Sequence, residues 1–276
     1  MPFSLGVIGL GRMAQAILLP LIERGDFNVD EVMSVVGTKQ SHDRLKGELP
    51  EGFNICSSDD ISSKQAWETP VKLLAIKPQQ LNTLNYSSFK IDFSSFSEKP
   101  VLISILAGVT IKKLETLFPD HYCVRAVPNS PALVGAGLTG LSWGNGISLS
   151  QKSLVQSFFK VISEVLELPE SQLDAFLALT SSGPAYVALI AEALADGAVA
   201  AGLPRQLANY LAHRTLSGSA TLLREKDLHP AQLKDLVTSP AGTTIAALRH
   251  LEMSGMRSAL IEAVVLAAER SRDLNG

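Results

Sequence analysis

Residues 3–16, Phe3-Ser4-Leu5-Gly6-Val7-Ile8-Gly9-Leu10-Gly11-Arg12-Met13-Ala14-Gln15-Ala16, decide the fold of this chain. An apolar, strand-like run meets Gly9-x-Gly11-x-x-Ala14 and passes directly into an apolar helical pattern. That is the strand–turn–helix setting in which a dinucleotide fingerprint has physical meaning. Gly9 permits the tight turn, Gly11 lets the backbone approach a pyrophosphate, and Ala14 is small enough for the helix to pack on the strand. The free N–H groups at the start of the helix would hold the pyrophosphate. The plainer alternative is a glycine turn between a buried strand and a helix; the flanking pattern favours the cofactor reading.

The next apolar run, Glu31-Val32-Met33-Ser34-Val35-Val36, bears on which cofactor is bound. An NAD site places Asp or Glu after this strand to accept from the ribose hydroxyls. This chain has Gly37-Thr38-Lys39-Gln40-Ser41 instead. A hydroxyl and an ammonium suit a 2′-phosphate, which a carboxylate would repel. NADPH is therefore the expected cofactor, with NADH weaker; taken alone, Lys39 reads better as a solvated loop lysine, and the missing acid shifts the balance toward NADPH.

Beta-rich runs recur at 31–36, 71–76, 101–106, 121–126, 138–143 and 164–168, with helical patterns at 12–24, 110–118 and 150–162. Such alternation predicts a parallel sheet wrapped by helices over residues 1–168, a Rossmann-like α/β domain. The serine-rich stretches 57–64 and 85–99 read as surface connections. After Pro169 the texture changes. Residues 171–272 are rich in Ala and Leu, and helices are expected at about 171–180, 184–201, 204–224, 230–237, 242–253 and 256–272. Pro184, Pro204, Pro230 and Pro240 sit at or just before helix starts, where a fixed φ is tolerated. The helices at 184–201 and 256–272 carry more apolar surface than a bundle of this size would hide. That predicts an all-α dimerisation domain over 169–276.

With 276 residues, a formal charge of −3 and a pI near 6.0, the chain offers no electrostatic case for nucleic acid or an anionic membrane. Cys56 and Cys123 lie far apart without metal-ligand spacing and are expected to be buried thiols. None of the five histidines pairs as HxxxH, and no metal site is expected. The first strand begins by residue 3, leaving no room for a targeting peptide, so a cytoplasmic location is expected. The apolar run 185–203 is interrupted by Glu192 and Asp196 on one helix face and is read as an interface helix, not a membrane span.

Ligands of open parallel sheets lie at the carboxyl ends of the strands. Three further loops meet that condition: Ala75-Ile76-Lys77-Pro78-Gln79, Ala107-Gly108-Val109, and Pro128-Asn129-Ser130-Pro131. Cofactor contacts are accordingly expected at Ile8, Gly9, Gly11, Arg12, Met13, Thr38, Lys39, Ala75, Lys77, Pro78, Ala107, Gly108 and Asn129. A turn-forming role for Asn129 stays open beside this. Thr238-Ser239-Pro240-Ala241-Gly242-Thr243-Thr244 opens a late helix and offers N–H groups and hydroxyls to a carboxylate. Ordinary N-capping by Ser239 or Thr243 is the alternative.

In this order, the segments resemble the pyrroline-5-carboxylate reductase family, which catalyses the last step of proline biosynthesis. The resemblance rests on Val7–Ala14, Leu74–Gln79, Arg125–Pro131, Ser182-Gly183-Pro184-Ala185-Tyr186, Ala201-Gly202-Leu203-Pro204-Arg205 and Thr238–Thr244, and covers about residues 5–272. The chain departs from the usual pattern in having Ala241 where Gly is common and Ser181-Ser182-Gly183-Pro184 where Gly-Ser-Gly-Pro is common. The resemblance implies NADPH-dependent reduction of the cyclic imine 1-pyrroline-5-carboxylate to L-proline. It also implies homodimers that assemble into rings, commonly decamers. Ser239, Gly242, Thr243 and Thr244 would hold the substrate carboxylate, and the Thr244 hydroxyl would face the ring nitrogen as the catalytic contact. Two alternatives remain at this point. One is a β-hydroxyacid or other imine dehydrogenase, although the lysine such β-hydroxyacid enzymes carry in the first long helix of their second domain is absent from 185–201. The other is a non-catalytic nucleotide-sensing dimer.

Overall fold

The alternating segments of the first 168 residues form one sheet. The computed structural model describes residues 3–84, 86–89, 91–94 and 96–274, so positions 85, 90 and 95 of the expected 85–99 connection lie outside the described residues. Strands β1 (Leu5–Ile8), β2 (Val32–Val36), β3 (Asn54–Ser57), β4 (Val71–Leu74) and β5 (Val101–Ser104) are joined by β6 (Tyr122–Pro128), β7 (Gly137–Trp143) and β8 (Ser163–Glu167). Their order is β3-β2-β1-β4-β5-β6-β7-β8. Leu5 is opposite Val32 on one side and Val71 on the other, both in parallel register. Helices α1 (Arg12–Glu23), α2 (Lys39–Lys46), α3 (Lys64–Trp67), α4 (Ile111–Leu117) and α5 (Leu149–Lys160) belong to the same region. Every residue of β1, β2, β4 and β5 is buried. That is the continuous apolar signature of strands covered on both faces.

Two expectations need correction. The sheet is not wholly parallel, because β6 and β7 pair antiparallel, with Val124 opposite Trp143 and Pro128 opposite Thr139. A parallel return needs a crossover of roughly a dozen residues or more. The chain instead makes a short 3-10 turn at Ser130–Val134, ended by Gly135 in the left-handed region, and reverses directly. Strand β3 and helices α2 and α3 were not expected. Their sequences are short and polar, and only pairing with β2 makes Asn54–Ser57 a strand. Cys56 and Cys123 are both free and buried.

The remaining helices are α6 (Leu173–Thr180), α7 (Gly183–Ala200), α8 (Arg205–Glu225), α9 (Pro230–Leu236), α10 (Thr243–Met253) and α11 (Met256–Asp273). Pro184 and Pro230 lie in the first turns of α7 and α9, and Pro204 is the N-cap of α8. By chain contacts the protein divides into two compact units, Met1–Ser181 with Ala268–Gly276, and Ser182–Ala267. Helix α6 and the end of α11 therefore pack with the sheet. In the second unit Ala195, Ala208 and Ala212 let α7 and α8 approach closely. Large apolar side chains remain exposed there, including Leu189 at 66% and Tyr210 at 60%. The run Glu170–Ala200 is long and apolar enough to cross a membrane by length and composition alone. It is broken at Ser181–Ser182, and α7 carries Glu192 and Asp196, the latter ion-paired with Arg205 at 2.5 Å.

One buried cation sits away from the carboxyl ends of the strands. Lys72, the second residue of β4, is 0% exposed; its ammonium donates to the Thr69 carbonyl and lies 4.9 Å from the Phe93 ring centre. Burial pushes its pKa down to about 7. His121, in ring contact with Phe93 and Tyr86, has no hydrogen-bond partner on either ring nitrogen among the described residues. Burial first, then Lys72 and Lys99, push its pKa down to about 3. Both folded values lie below the unfolded ones, so the unfolded chain binds more protons between them. Stability thus rises with pH from about 3 to 6.5 through His121 and from about 7 to 10.5 through Lys72. Lys72→Met should therefore stabilise the protein at pH 7 by about 1–3 kcal/mol and flatten the upper window. Urea midpoints measured from pH 6 to 10 check this; parallel profiles for the two proteins would refute it.

Candidate functional site

The strand order reverses between β1 and β4, which places a crevice at the carboxyl ends of the sheet. Gly9 turns the chain there with φ +93, and a Cβ on it would lie 2.6 Å from the Ala75 carbonyl oxygen. No side chain fits at this position. The turn is tied to both neighbouring strands, since Gly9 N–H donates to Val35 O at 2.8 Å and Ala75 N–H donates to Ile8 O at 2.8 Å. Gly11, the N-cap of α1, carries no side-chain cap, and a Cβ there would meet nothing within 4 Å. The first intrahelical bond is Gln15 N–H to Gly11 O, so the preceding N–H groups have no helical acceptor. No acid occupies the first turn of α1. This open, uncapped, positive helix end fits a pyrophosphate.

Beside it lies a cleft of about 650 Å³ lined by Ile8 and Gly9, the β2 end at Val35–Gly37, and Ser58–Ile61 after β3. Gln80, Thr83 and Phe89 complete it from the segment after β4. Those last two groups were not anticipated from sequence. Gly37 was noticed only as part of a loop, and Ser58–Ile61 reads as surface until β3 pairs with β2.

The other expected cofactor residues are distributed around the same strand ends. Thr38 is the N-cap of α2, and its hydroxyl oxygen accepts from Ser41 N–H at 3.1 Å. Lys39 is exposed at the first position of that helix and forms no ion pair among the described residues. Asp59 and Asp60 lie in the same cleft wall, so the local charge is mixed. Ala75, Lys77 and Pro78 follow β4, with Lys77 exposed; Ala107 and Gly108 follow β5, Gly108 at φ +70. Met13 is half-buried in the first turn of α1, whereas the Arg12 side chain lines a separate hollow with Gln15, Leu19 and Leu133. Asn129 is buried, its amide donating to Thr180 O at 2.9 Å and its carbonyl accepting from Leu138 N–H at 2.8 Å. Its side chain holds the end of β6 against α6 and β7.

In the second unit, Ser239-Pro240-Ala241-Gly242 forms a turn closed by Gly242 N–H to Ser239 O at 3.1 Å. Ala241 sits at φ +55, the third turn position that usually goes to glycine. Gly242 is the N-cap of α10 and provides no side-chain cap. The N-capping alternative for Ser239 and Thr243 is therefore not realised. A Cβ on Gly242 would fall 2.4 Å from the Ser239 hydroxyl, so a larger residue there would displace that hydroxyl. Thr238 donates its hydroxyl to Lys234 O at 2.6 Å. The hydroxyls of Ser239, Thr243 and Thr244 make no hydrogen bond among the described residues. An uncapped eleven-residue helix flanked by three unengaged hydroxyls is suited to a carboxylate.

Comparisons with known proteins match both parts of the chain. Residues 4–108 match the family described as NADP oxidoreductase, coenzyme F420-dependent, and residues 170–274 match the pyrroline-5-carboxylate reductase dimerisation family. A pyrroline-5-carboxylate reductase from Synechocystis is 43% identical over 274 residues, covering 99% of each chain. The Arabidopsis thaliana enzyme of the same name is 36% identical over 99% of this chain and 96% of its own. Among solved structures, Plasmodium falciparum pyrroline carboxylate reductase with NADP bound superposes with a TM-score of 0.84 at 27% identity. That alignment covers 99% of this chain and 98% of the other. The Coxiella burnetii reductase gives 0.83 at 31% identity over the full length of both. Likeness of this extent over 99% of the chain means that the chain belongs to the pyrroline-5-carboxylate reductase family.

Proposed function

We propose that this protein reduces 1-pyrroline-5-carboxylate to L-proline with NADPH. The observation that carries the reading is the uncapped start of α10, where Ser239, Gly242, Thr243 and Thr244 gather N–H groups and unengaged hydroxyls suited to one carboxylate. Residues 1–168 supply the cofactor domain and 169–276 the dimerisation and substrate domain. NADPH supplies the hydride. The chain itself orients: the first-turn N–H groups of α1 hold the pyrophosphate, and Ala75, Lys77, Pro78, Ala107, Gly108 and Asn129 border the path of the cofactor. A protonated cyclic imine accepts hydride readily, so Thr244 acts by holding the ring nitrogen in position and needs no strong acid beside it. Turnover is tested directly by following NADPH consumption with 1-pyrroline-5-carboxylate and identifying proline as product. Absence of both would favour a nucleotide-sensing role.

The exposed apolar faces of α7 and α11 support a homodimer, which the family's rings would extend to a decamer; light scattering on the purified protein measures this. A cytoplasmic location accords with an NADPH-consuming biosynthetic step and with two reduced thiols, and fractionation tests it.

Cofactor selectivity is assigned to Thr38 and Lys39. In Thr38→Asp with Lys39→Ala, aspartate still caps α2, so the fold is kept while the anion contacts are lost. NADPH should weaken relative to NADH by about 1–3 kcal/mol. The ratio of kcat/KM for the two cofactors reads this, and an unchanged ratio would place selectivity elsewhere in the cleft.

A further inference from the structure

The first unit holds a chain of buried polar contacts that the proposed reaction does not use. Arg125, in β6, is 1% exposed and pairs with Glu170 at 3.3 Å and with Asp174 at 3.2 Å. Asp174, in α6, accepts a hydrogen bond from the Ser271 hydroxyl at 2.8 Å. Ser271 is buried in the last turn of α11. At the other end, Glu170 accepts from the backbone N–H of Ile111 at 2.8 Å, where the loop after β5 enters α4. Three residues past Ser271, Leu274 lies directly on Gly108 of that loop. A Cβ built on Gly108 would be 2.9 Å from the Leu274 Cβ.

The loop between β5 and α4 is thus held at two points, Gly108 by Leu274 and Ile111 by Glu170. Leu274 directly follows the last turn of α11, and Glu170 is linked to that turn through Arg125, Asp174 and Ser271. We propose that this turn is the positioning element for the Ala107–Thr110 loop, with Ser271 and Leu274 as its positioning residues. The proposal rests on the reading of Ala107 and Gly108 as cofactor contacts. Gly108 fits it on steric grounds, because its φ of +70 and the contact with Leu274 leave no room for a side chain on that face. Helix α11 begins two residues after α10 ends, in the second unit, and finishes in the first.

The test compares wild type with Ser271→Ala and Leu274→Gly in the intact protein, the glycine removing the Cβ that lies on Gly108. Ser271→Ala removes one hydroxyl, and Leu274, 51% exposed, can be truncated without opening the core. Backbone amide exchange at 106–111 should be about tenfold faster in either variant, as for loss of a bond to a charged group or of a tertiary contact. The dissociation constant for NADPH should rise about 3–30-fold, with KM for the imine carboxylate held within about twofold. Unchanged exchange at 106–111, or a rise spread evenly over the first unit, would overturn the proposal. Faster exchange confined to 106–111 with wild-type NADPH affinity and kcat would uphold the positioning role and overturn the cofactor reading of Ala107 and Gly108.

Discussion

Thr244→Val is expected to lower kcat/KM for the imine by about 10–1,000-fold, equivalent to about 1.4–4 kcal/mol of transition-state stabilisation. Valine keeps the branched shape at the second position of α10 and removes only the hydroxyl, which has no partner among the described residues and is free for a ligand. Thr244→Ser should recover most of the loss, because the oxygen returns without the methyl. The affinity for NADPH should barely move, since the glycine turn and the strand ends assigned to it belong to the other unit. Steady-state kinetics with wild type and the two variants, together with NADPH titration, separate hydrogen bonding from packing. Wild-type turnover in the valine variant would reduce Thr244 to a helix-forming residue.

Arg125→Ala should cost about 3–5 kcal/mol of folding stability, the range for removing one partner of a buried ion pair. The guanidinium is shared by Glu170 and Asp174 and links β6 to α6. Arg125→Met, which refills the volume without charge, should still destabilise, because both carboxylates lose the cation that compensates their partial burial. Denaturant midpoints give the answer. A loss below about 1 kcal/mol would show that water and the remaining donors replace Arg125.

Local chemistry accounts for most of what could be read directly. The strand–turn–helix at Leu5–Ala14, the alternation through residue 168 and the proline-marked helices after it all depend on neighbours within a few positions, and they reappear within a residue or two in the structure. The turn before α10, proposed to hold the carboxylate, stood out in the sequence because serine, proline, glycine and threonine gathered within Ser239–Thr244 have few local uses. Elements stabilised mainly by distant partners were not legible. Asn54–Ser57 becomes β3 only beside β2, and the reversal from β6 into β7 depends on where the 3-10 turn directs the chain.

The side-chain roles divide in the same way. By itself the sequence determined that Gly9 must be glycine, that a nucleotide-binding sheet comes first and that an apolar helical half follows. Backbone conformation and periodicity are properties of short segments. Only the tertiary structure decided that the Asn129 amide is engaged by Thr180 and Leu138, and that Arg125 joins Glu170 and Asp174. It likewise decided that Ser271 and Leu274 return to the sheet, with Leu274 on Gly108. These contacts join residues 9 to 166 positions apart, and a desolvated polar group takes whichever partner the packed core brings within reach, which no local pattern encodes.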